Sequence, residues 1–264
     1  MPIPDMTRVI TNEEVDQATK LAPPFSMPCL LPDGKTVLKS GDTVREAEAN
    51  TMKFVSKHTS IPVPEVHNVY RDANSGHVCI VMEYVEGDRL DNVWEGLTTE
   101  DKDAILFQLR GYLTQLRQLK GAFIGTVDGS GCNDQFFSMD DVEHGPYANE
   151  AAFNEALAKV WSAKDEDDPF TRLLCRVQHA VMHDHEIVLT HNDLDPRNIL
   201  VRGATVVAIL DWEFSGFFPE YWEYCKALWR PGWDKAWIKE GFVDRVLDPY
   251  LKEVAVMLNT SSAW

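Results

Sequence analysis

A short polar loop between apolar segments constrains this chain more than any other stretch. The loop runs from His191 to Asn198 and places Asp193 and Asn198 five residues apart. The apolar segments around it, rich in leucine and β-branched residues, predict three short strands, over 187–190, 199–201 and 206–210. A second carboxylate, Asp211, directly follows the last of these segments. The predicted strands therefore frame a loop that carries a carboxylate and an amide.

These residue types are the ones that phosphoryl transfer needs. One carboxylate orients and deprotonates a hydroxyl, while an Asn and an Asp hold Mg²⁺ on a nucleotide. The spacing alone is weakly specific, because it recurs by chance in roughly a few per cent of chains of this length. The alternative interpretation is a turn that uses Asp, Pro and Asn for backbone reasons. The pattern predicts phosphotransferase chemistry only together with the rest of the chain.

Composition limits the class of partner and the location. The formal net charge is −17, and we expect no nucleic-acid partner because phosphate backbones are bound by clustered Lys and Arg. A negative field favours cationic substrates, although the same charge also serves solubility. The five cysteines are scattered without CxxC spacing, which indicates buried thiols in a reducing compartment. No apolar run reaches membrane-spanning length, so we expect a cytoplasmic protein without a membrane partner.

The first third of the chain predicts a small β-sheet with two helices. One helix is predicted from a cap at Thr11 or Asn12 to Leu21, before Pro23-Pro24, and another from a capping box at Thr43–Glu46 to His58. Strands are predicted over 29–31, 35–39, 65–70 and 77–84, the first two joined by a Pro32-Asp33-Gly34 turn. The pattern breaks at Glu86-Gly87-Asp88, which divides the chain into lobes 1–85 and 86–264.

The second lobe is predicted to be mainly helical. Helices are expected over 98–120, 149–163, 169–183, 219–228 and 242–258. Residues 121–148 are rich in Gly, Asp and Asn and predict a long ordered loop. The acidic run Asp165–Asp168 predicts a solvated connection rather than a metal site.

Taken in order, an upstream Lys on a strand, the polar loop and the later Asp211 resemble the aminoglycoside phosphotransferase family. This family of small-molecule kinases belongs to the protein-kinase-like superfamily. The resemblance spans about residues 35–230 and is strongest over 187–224. It implies an α+β, bilobal protein-kinase-like fold, with a small N-terminal sheet lobe plus a helix and a larger, mainly helical C-terminal lobe.

The resemblance implies a role for each residue of the loop. Asp193 matches the catalytic Asp that receives the proton of the acceptor hydroxyl. Asn198 and Asp211 match the Mg²⁺ ligands, and His191 matches the histidine that braces the loop. The expected cofactor is Mg²⁺, with ATP or GTP as the co-substrate.

The resemblance also implies a nucleotide site in the first lobe. Lys39 matches the Lys that contacts the α- and β-phosphates, with an ordinary surface lysine as the alternative. Glu48 matches its ion-pair partner, and Glu46 is the other candidate, more suited to capping. The segment 82–85 resembles the hinge that binds adenine through its backbone, which assigns Glu83, Tyr84 and Val85 to nucleotide binding. No glycine-rich loop precedes Lys39, so the loop that covers the phosphates is expected to be short.

Two features favour a small-molecule acceptor. Asp195 stands where similar protein kinases carry a Lys, and the short link from Asp211 to Pro219-Glu220 leaves no room for a peptide-docking loop. Carboxylates expected on the acceptor side are Asp195, Glu213, Glu220 and Glu223. Aromatic residues that stack on the acceptor, or alternatively form core, are Trp212, Phe217, Tyr221 and Trp222.

The sequence therefore predicts a kinase that phosphorylates a hydroxyl of a small, cationic acceptor, of the aminoglycoside or amino-alcohol type. A monomer is expected. The rival interpretation is a kinase-like module that binds a nucleotide or ligand without turnover, and the short phosphate-covering loop motivates it. Kinases of choline, fructosamine or homoserine share the chemistry and differ in the acceptor.

Overall fold

The computed structural model describes residues 8–21, 27–137, 144–162, 168–229 and 232–260. Its helices are α1 (Asn12–Asp16), α2 (Glu46–His58), α3 (Leu90–Val93), α4 (Thr99–Gln118), α5 (Glu150–Ser162), α6 (Pro169–Val181), α7 (Trp222–Leu228), α8 (Ala236–Lys239), α9 (Phe242–Val246) and α10 (Leu251–Thr260). Its strands are β1 (Thr19–Lys20), β2 (Met27–Leu30), β3 (Thr36–Gly41), β4 (Val66–Arg71), β5 (Val78–Glu83), β6 (Asp88–Arg89), β7 (Ile187–Thr190), β8 (Ile199–Arg202), β9 (Thr205–Ile209) and β10 (Gly216–Pro219).

An antiparallel five-stranded sheet, in the order β1-β2-β3-β5-β4, forms the N-terminal part. The predicted β2–β3 hairpin turns at Asp33, whose carboxylate accepts the N–H groups of Lys35 and Thr36, both at 2.9 Å. Gly34 adopts a φ of +67°, which a glycine reaches without a steric cost. Helix α2 packs on β4 and β5. This part of the predicted α+β fold is confirmed.

The start of the chain differs from the prediction. Thr11 does cap α1 in a capping box, but the helix ends at Asp16 rather than Leu21. The chain then forms β1, which pairs with β2 and adds a strand that the sequence did not reveal. Residues Pro23-Pro24, predicted to end the helix, lie outside the described residues.

The capping box predicted at Thr43 is also wrong, because α2 begins at Glu46 with Arg45 as its N-cap and without a side-chain cap. Val44 is buried instead, so the segment before α2 is fixed by packing.

The larger part of the chain is mainly helical, as predicted. Thr98 caps α4, and Pro169 lies in the first turn of α6. The run Asp165–Asp168 lies mostly outside the described residues, although Asp168 is described and caps α6. The predicted helix 242–258 is two helices, α9 and α10, because Pro249 interrupts the pattern.

The sequence missed β10. Pro219, predicted as a helix start, instead ends this strand, and α7 begins at Trp222. Strands β7 and β10 pair in an antiparallel ladder with Thr190 opposite Gly216, while β6, β8 and β9 form a separate three-stranded sheet.

A single apolar cluster joins the five-stranded sheet to the helices. It includes Val37 and Ile80 of the sheet, Leu109 of α4 and Met257 of α10. The boundary near residue 86 stays a prediction, although the chain passes from the first sheet to the strand β6 at this point. No helix in the described part of the chain has both the length and the apolar composition that crossing a bilayer requires.

A half-buried histidine ties α5 to α10. His185 Nδ1 lies 2.8 Å from Glu150 Oε1, and its Nε2 lies 3.6 Å from Glu253 Oε1. Burial lowers the pKa of His185, but the hydrogen bond with Glu150 and the charges of Glu150, Glu253 and Glu220 outweigh it, so the pKa is raised above 6.5. The folded protein therefore holds this proton more tightly than the unfolded chain does.

The raised pKa predicts a pH-dependent stability. The contribution of His185 to the free energy of unfolding should be complete below pH 6.5. It should be lost as the pH rises through the raised pKa, because only the charged imidazolium is stabilised by the carboxylates of Glu150 and Glu253. Thermal unfolding of the wild type and of His185→Gln, measured across this range, should show a difference that shrinks with rising pH. A constant difference would mean that the histidine acts only through packing.

Candidate active site

The polar loop between β7 and β8 holds Asp193 and Asn198 side by side. Asn198 Nδ2 donates to Asp193 Oδ2 and to the Asp193 carbonyl, both at 2.9 Å. The carboxylate of Asp195 accepts the N–H of Arg197 at 2.8 Å and caps the short 3₁₀ turn that ends at Asn198. The predicted strands thus place a carboxylate and an amide next to each other.

Hydrogen bonds from His191 fasten the loop to the segment after β9. The buried His191 ring accepts the N–H of Asp193 at Nδ1, 3.2 Å away, which leaves Nε2–H to donate to the Leu210 carbonyl at 2.9 Å. Its ring also contacts Trp212, with the centroids 4.5 Å apart. Next to it, Asn192 has a φ of +68°, a conformation that Asn tolerates better than most residues.

Glu223 is a buried carboxylate next to the polar loop. It was predicted on the acceptor side, but it is 3% exposed, and its two oxygens accept the N–H groups of His191 and Asn192 at 2.5 and 3.0 Å. Burial raises the pKa of Glu223, and the hydrogen bonds from the His191 and Asn192 N–H groups together with the charge of Arg117 partly offset this rise. The carboxylate therefore shapes the loop from behind and has no free oxygen for a ligand. The sequence signal that could have indicated this buried position is that Glu223 lies between two aromatic residues, Trp222 and Tyr224.

Lys39, on β3, meets three carboxylates. Its Nζ lies 2.9 Å from Glu48, 2.7 Å from Asp211 and 3.3 Å from Glu213. The ion pair predicted between Lys39 and Glu48 is present, whereas Glu46 pairs with Arg71 at the surface. The lysine thus connects the five-stranded sheet, α2 and the segment after β9.

The charges in this cluster shift each other's pKa values. Burial lowers the pKa of Lys39, but the charges of Glu48, Asp211 and Glu213 outweigh it and raise that pKa above its ordinary value. Burial raises the pKa of Glu48 to about 7, although Lys39 opposes the shift. Burial also raises the pKa of Asp193, and the nearby charge of Asp211 adds to this effect. The cluster has more carboxylates than ammonium groups, which favours the binding of a further cation.

Glu213 lies beside Lys39 and Asp211 rather than on the acceptor side, where it was predicted. Asp211 follows β9 with a φ of +64°, and the chain turns so that both carboxylates reach the same ammonium. Burial raises the pKa of Glu213, while Lys39 lowers it.

Two further residues predicted on the acceptor side are excluded. Trp222 is fully buried and packs against Phe153, with the ring centroids 4.9 Å apart. Glu220 follows Pro219, which pairs with Ile187 at the end of the β7–β10 ladder farthest from the loop. Its carboxylate hydrogen-bonds with Tyr250.

Asp195 remains as a candidate, with its side chain 27% exposed and 3.0 Å from Arg197 Nε. The aromatic residues Trp212, Phe217 and Tyr221 are buried, in agreement with the core alternative.

At the predicted hinge, two of the three backbone donors are already used. The N–H of Glu83 donates to Glu65 and that of Tyr84 donates to Lys35, both at 2.8 Å. Within the described residues the N–H of Val85 meets no acceptor. Of the three, Val85 therefore has the free backbone donor, and the assignment of Glu83, Tyr84 and Val85 to nucleotide binding stays a prediction.

The oxygen atoms near Lys39 fit Mg²⁺. Because Asn198 Nδ2 is committed to Asp193, its Oδ1 is left as an oxygen ligand for a cation. Among the described residues, no three His, Cys, Asp or Glu side chains form a complete metal cage. Mg²⁺ needs no such cage, since it is usually held by one or two carboxylates together with substrate phosphates and water.

The buried ion pair predicts a large effect on stability. Lys39→Met should lower the free energy of unfolding by about 3–5 kcal/mol, because Glu48 is then buried without a cation. Chemical denaturation measures this loss. The double variant Lys39→Met, Glu48→Gln should recover much of it. If the double variant loses as much as the sum of the single changes, the two residues do not act as a pair.

Solved aminoglycoside phosphotransferases share this fold. The streptomycin–ATP ternary complex of APH(2")-IIa superposes with a TM-score of 0.64 at 17% identity, covering 96% of this chain and 88% of that one. A thermostable mutant of APH(4)-Ia gives 0.63 at 17% identity, covering 93% and 84%. The GDP complex of aminoglycoside 2'-phosphotransferase-IIIa gives 0.62 at 16% identity, covering 93% and 83%.

No curated protein sequence matches the chain. A family model does match, and it covers residues 32–253 under the description "Phosphotransferase enzyme family". This span contains Lys39, Glu48, the loop from His191 to Asn198 and Asp211. Since the match extends over most of its length, the chain belongs to the APH phosphotransferase enzyme family.

Proposed function

We propose that the protein transfers the γ-phosphate of ATP or GTP to a hydroxyl group of a small molecule. The observation that carries this proposal is the pairing of Asp193 with Asn198, on a loop whose neighbouring segment brings Asp211 to within 2.7 Å of Lys39. A base, an amide oxygen and a second carboxylate next to a buried lysine are the groups that phosphoryl transfer uses. The family match supports the same reaction class.

In this proposal each residue of the site has a defined role. Asp193 orients the acceptor hydroxyl and accepts its proton, and Asn198 Nδ2 holds that carboxylate in place. Lys39 contacts the nucleotide phosphates, positioned by Glu48, and Val85 offers its N–H to the base. Asn198 and Asp211 would hold Mg²⁺, which supplies charge neutralisation on the phosphates when bound.

We infer that the acceptor is cationic. The formal net charge of −17 attracts cations, and Asp195 offers a partly exposed carboxylate two residues from the base. The solved neighbours include complexes with streptomycin and gentamicin. An aminoglycoside-like molecule or an amino alcohol fits this charge.

An acceptor screen tests the proposed function. Aminoglycosides, choline, sugars and amino acids are added to purified protein with Mg²⁺ and ATP or GTP, and nucleoside diphosphate release is recorded. A cationic acceptor should stimulate the release, and chelation of Mg²⁺ should stop it. Nucleotide binding without any stimulated release would instead favour a binding module, which the absence of a glycine-rich loop before Lys39 also favours.

A further inference from the structure

Lys226, on α7, has its ammonium group surrounded by aromatic rings. Its side chain is 3% exposed. The Nζ atom lies 5.0 Å from the ring centre of Phe136, 5.0 Å from that of Trp229 and 5.9 Å from that of Phe214. Aromatic faces attract cations within about 6 Å of the ring centre. We call this enclosure the Lys226 cage.

Asp134 gives the Lys226 cage an anionic wall. Its buried carboxylate lies 3.2 Å from Lys226 Nζ. The same carboxylate accepts the indole N–H of Trp222 at 3.1 Å and the backbone N–H of Phe136 at 2.9 Å. A buried carboxylate with fixed donors and aromatic faces is the chemical environment that binds alkylammonium groups.

The Lys226 cage adjoins the catalytic loop. The carbonyl oxygen of Phe214 accepts the Asn192 side-chain N–H at 2.8 Å, and Asn192 is the neighbour of Asp193. Asn133, beside Asp134, donates to the Glu213 carbonyl at 2.9 Å. On its outer side the cage is bordered by the half-buried ring of Phe214 and by the exposed Gln135, whose Oε1 lies 3.4 Å from Nζ.

We propose that the Lys226 cage is a cation site, formed by Asp134, Phe136, Phe214 and Trp229, that the chain fills with its own Lys226. Because the lysine occupies it, the cage excludes quaternary ammonium acceptors. The inference rests on the proposed function, because it narrows the class of acceptor. The cationic group of the acceptor must then meet a different part of the site, such as Asp195.

The test uses the full chain and tetramethylammonium chloride as the probe. Lys226→Ala opens the cage, and calorimetric titration should show binding at least about tenfold tighter than to the wild type, since a desolvated cation–π site is worth about 2 kcal/mol. Lys226→Met, which refills the space without charge, should show no gain. Adding Asp134→Asn to the alanine variant should weaken the binding again. Sodium chloride at equal ionic strength and tert-butanol are the controls for salt and shape.

Three results would overturn the inference. One is wild-type protein that binds tetramethylammonium as tightly as Lys226→Ala does. Another is a folded alanine variant that gains no affinity. If the alanine variant is unfolded alone, tetramethylammonium should restore its native circular dichroism, and failure to do so while Lys226→Met is folded is the third. The titration needs no nucleotide, so its outcome is independent of whether the protein transfers phosphate.

Discussion

Asp193→Asn is expected to lower kcat for phosphate transfer by about 10²–10⁴-fold, the range that positioned general bases contribute. The amide keeps the shape of the side chain but cannot accept the proton of the acceptor hydroxyl. Nucleotide affinity should change little, because the groups assigned to the phosphates and the base are Lys39 and Val85. Steady-state kinetics with the acceptor found in the screen, together with nucleotide titration, measure both quantities.

A matched control for this change is Asp184→Asn. Asp184 is 93% exposed and, among the described residues, pairs only with the neighbouring His183. It has a φ of +63° that Asn also tolerates. It should leave both kcat and nucleotide binding unchanged. Full activity of Asp193→Asn would remove Asp193 from the role of base. A parallel loss of nucleotide binding would show that the variant disturbs the site as a whole.

Glu223→Ala is expected to have the second largest effect. It leaves the buried N–H groups of His191 and Asn192 without an acceptor, which should cost about 2–4 kcal/mol of unfolding free energy. Because these two residues directly precede Asp193, kcat should also fall while KM for the nucleotide stays near its original value. Denaturant unfolding and steady-state kinetics measure the two effects.

Glu220→Ala is the control for this prediction, since Glu220 lies at the far end of the β7–β10 ladder and contacts Tyr250. Glu223→Gln is a sharper probe, because it keeps the size of the side chain but presents an N–H where the loop needs an acceptor. Wild-type kcat in Glu223→Gln would mean that the carboxylate only fills space.

The parts of the structure that local signals determine were predictable. The β2–β3 turn follows from Asp33 and Gly34, the start of α4 follows from Thr98, and β-branched runs mark the strands around the polar loop. The Lys39–Glu48 pair could be predicted because both residues belong to an ordered set of motifs.

Features set by tertiary packing were not predictable. Strand β1 is only two residues long, and it exists because β2 offers an edge. The role of Glu223 depends on where α7 begins. This helix begins after β10, a strand that was missed because Pro219 was predicted to start a helix. The same error placed Glu213, Glu220 and Glu223 on one surface. In the structure, Glu213 lies beside Lys39, Glu220 lies at the far end of the β7–β10 ladder, and Glu223 lies behind the polar loop.

The three contacts of Lys39 have a consequence for ligand affinity. The ammonium group of Lys39 has no N–H donor left for a phosphate, since Glu48, Asp211 and Glu213 already surround it. If Lys39 binds phosphate as proposed, an incoming phosphate must displace a carboxylate. The free energy that Lys39 adds to binding is then only the difference between its ion pair with the phosphate and its ion pair with the carboxylate. The protein's own acidic residues act as internal competitors of the nucleotide, so ligand affinity depends on how readily Asp211 and Glu213 exchange the lysine for another cation.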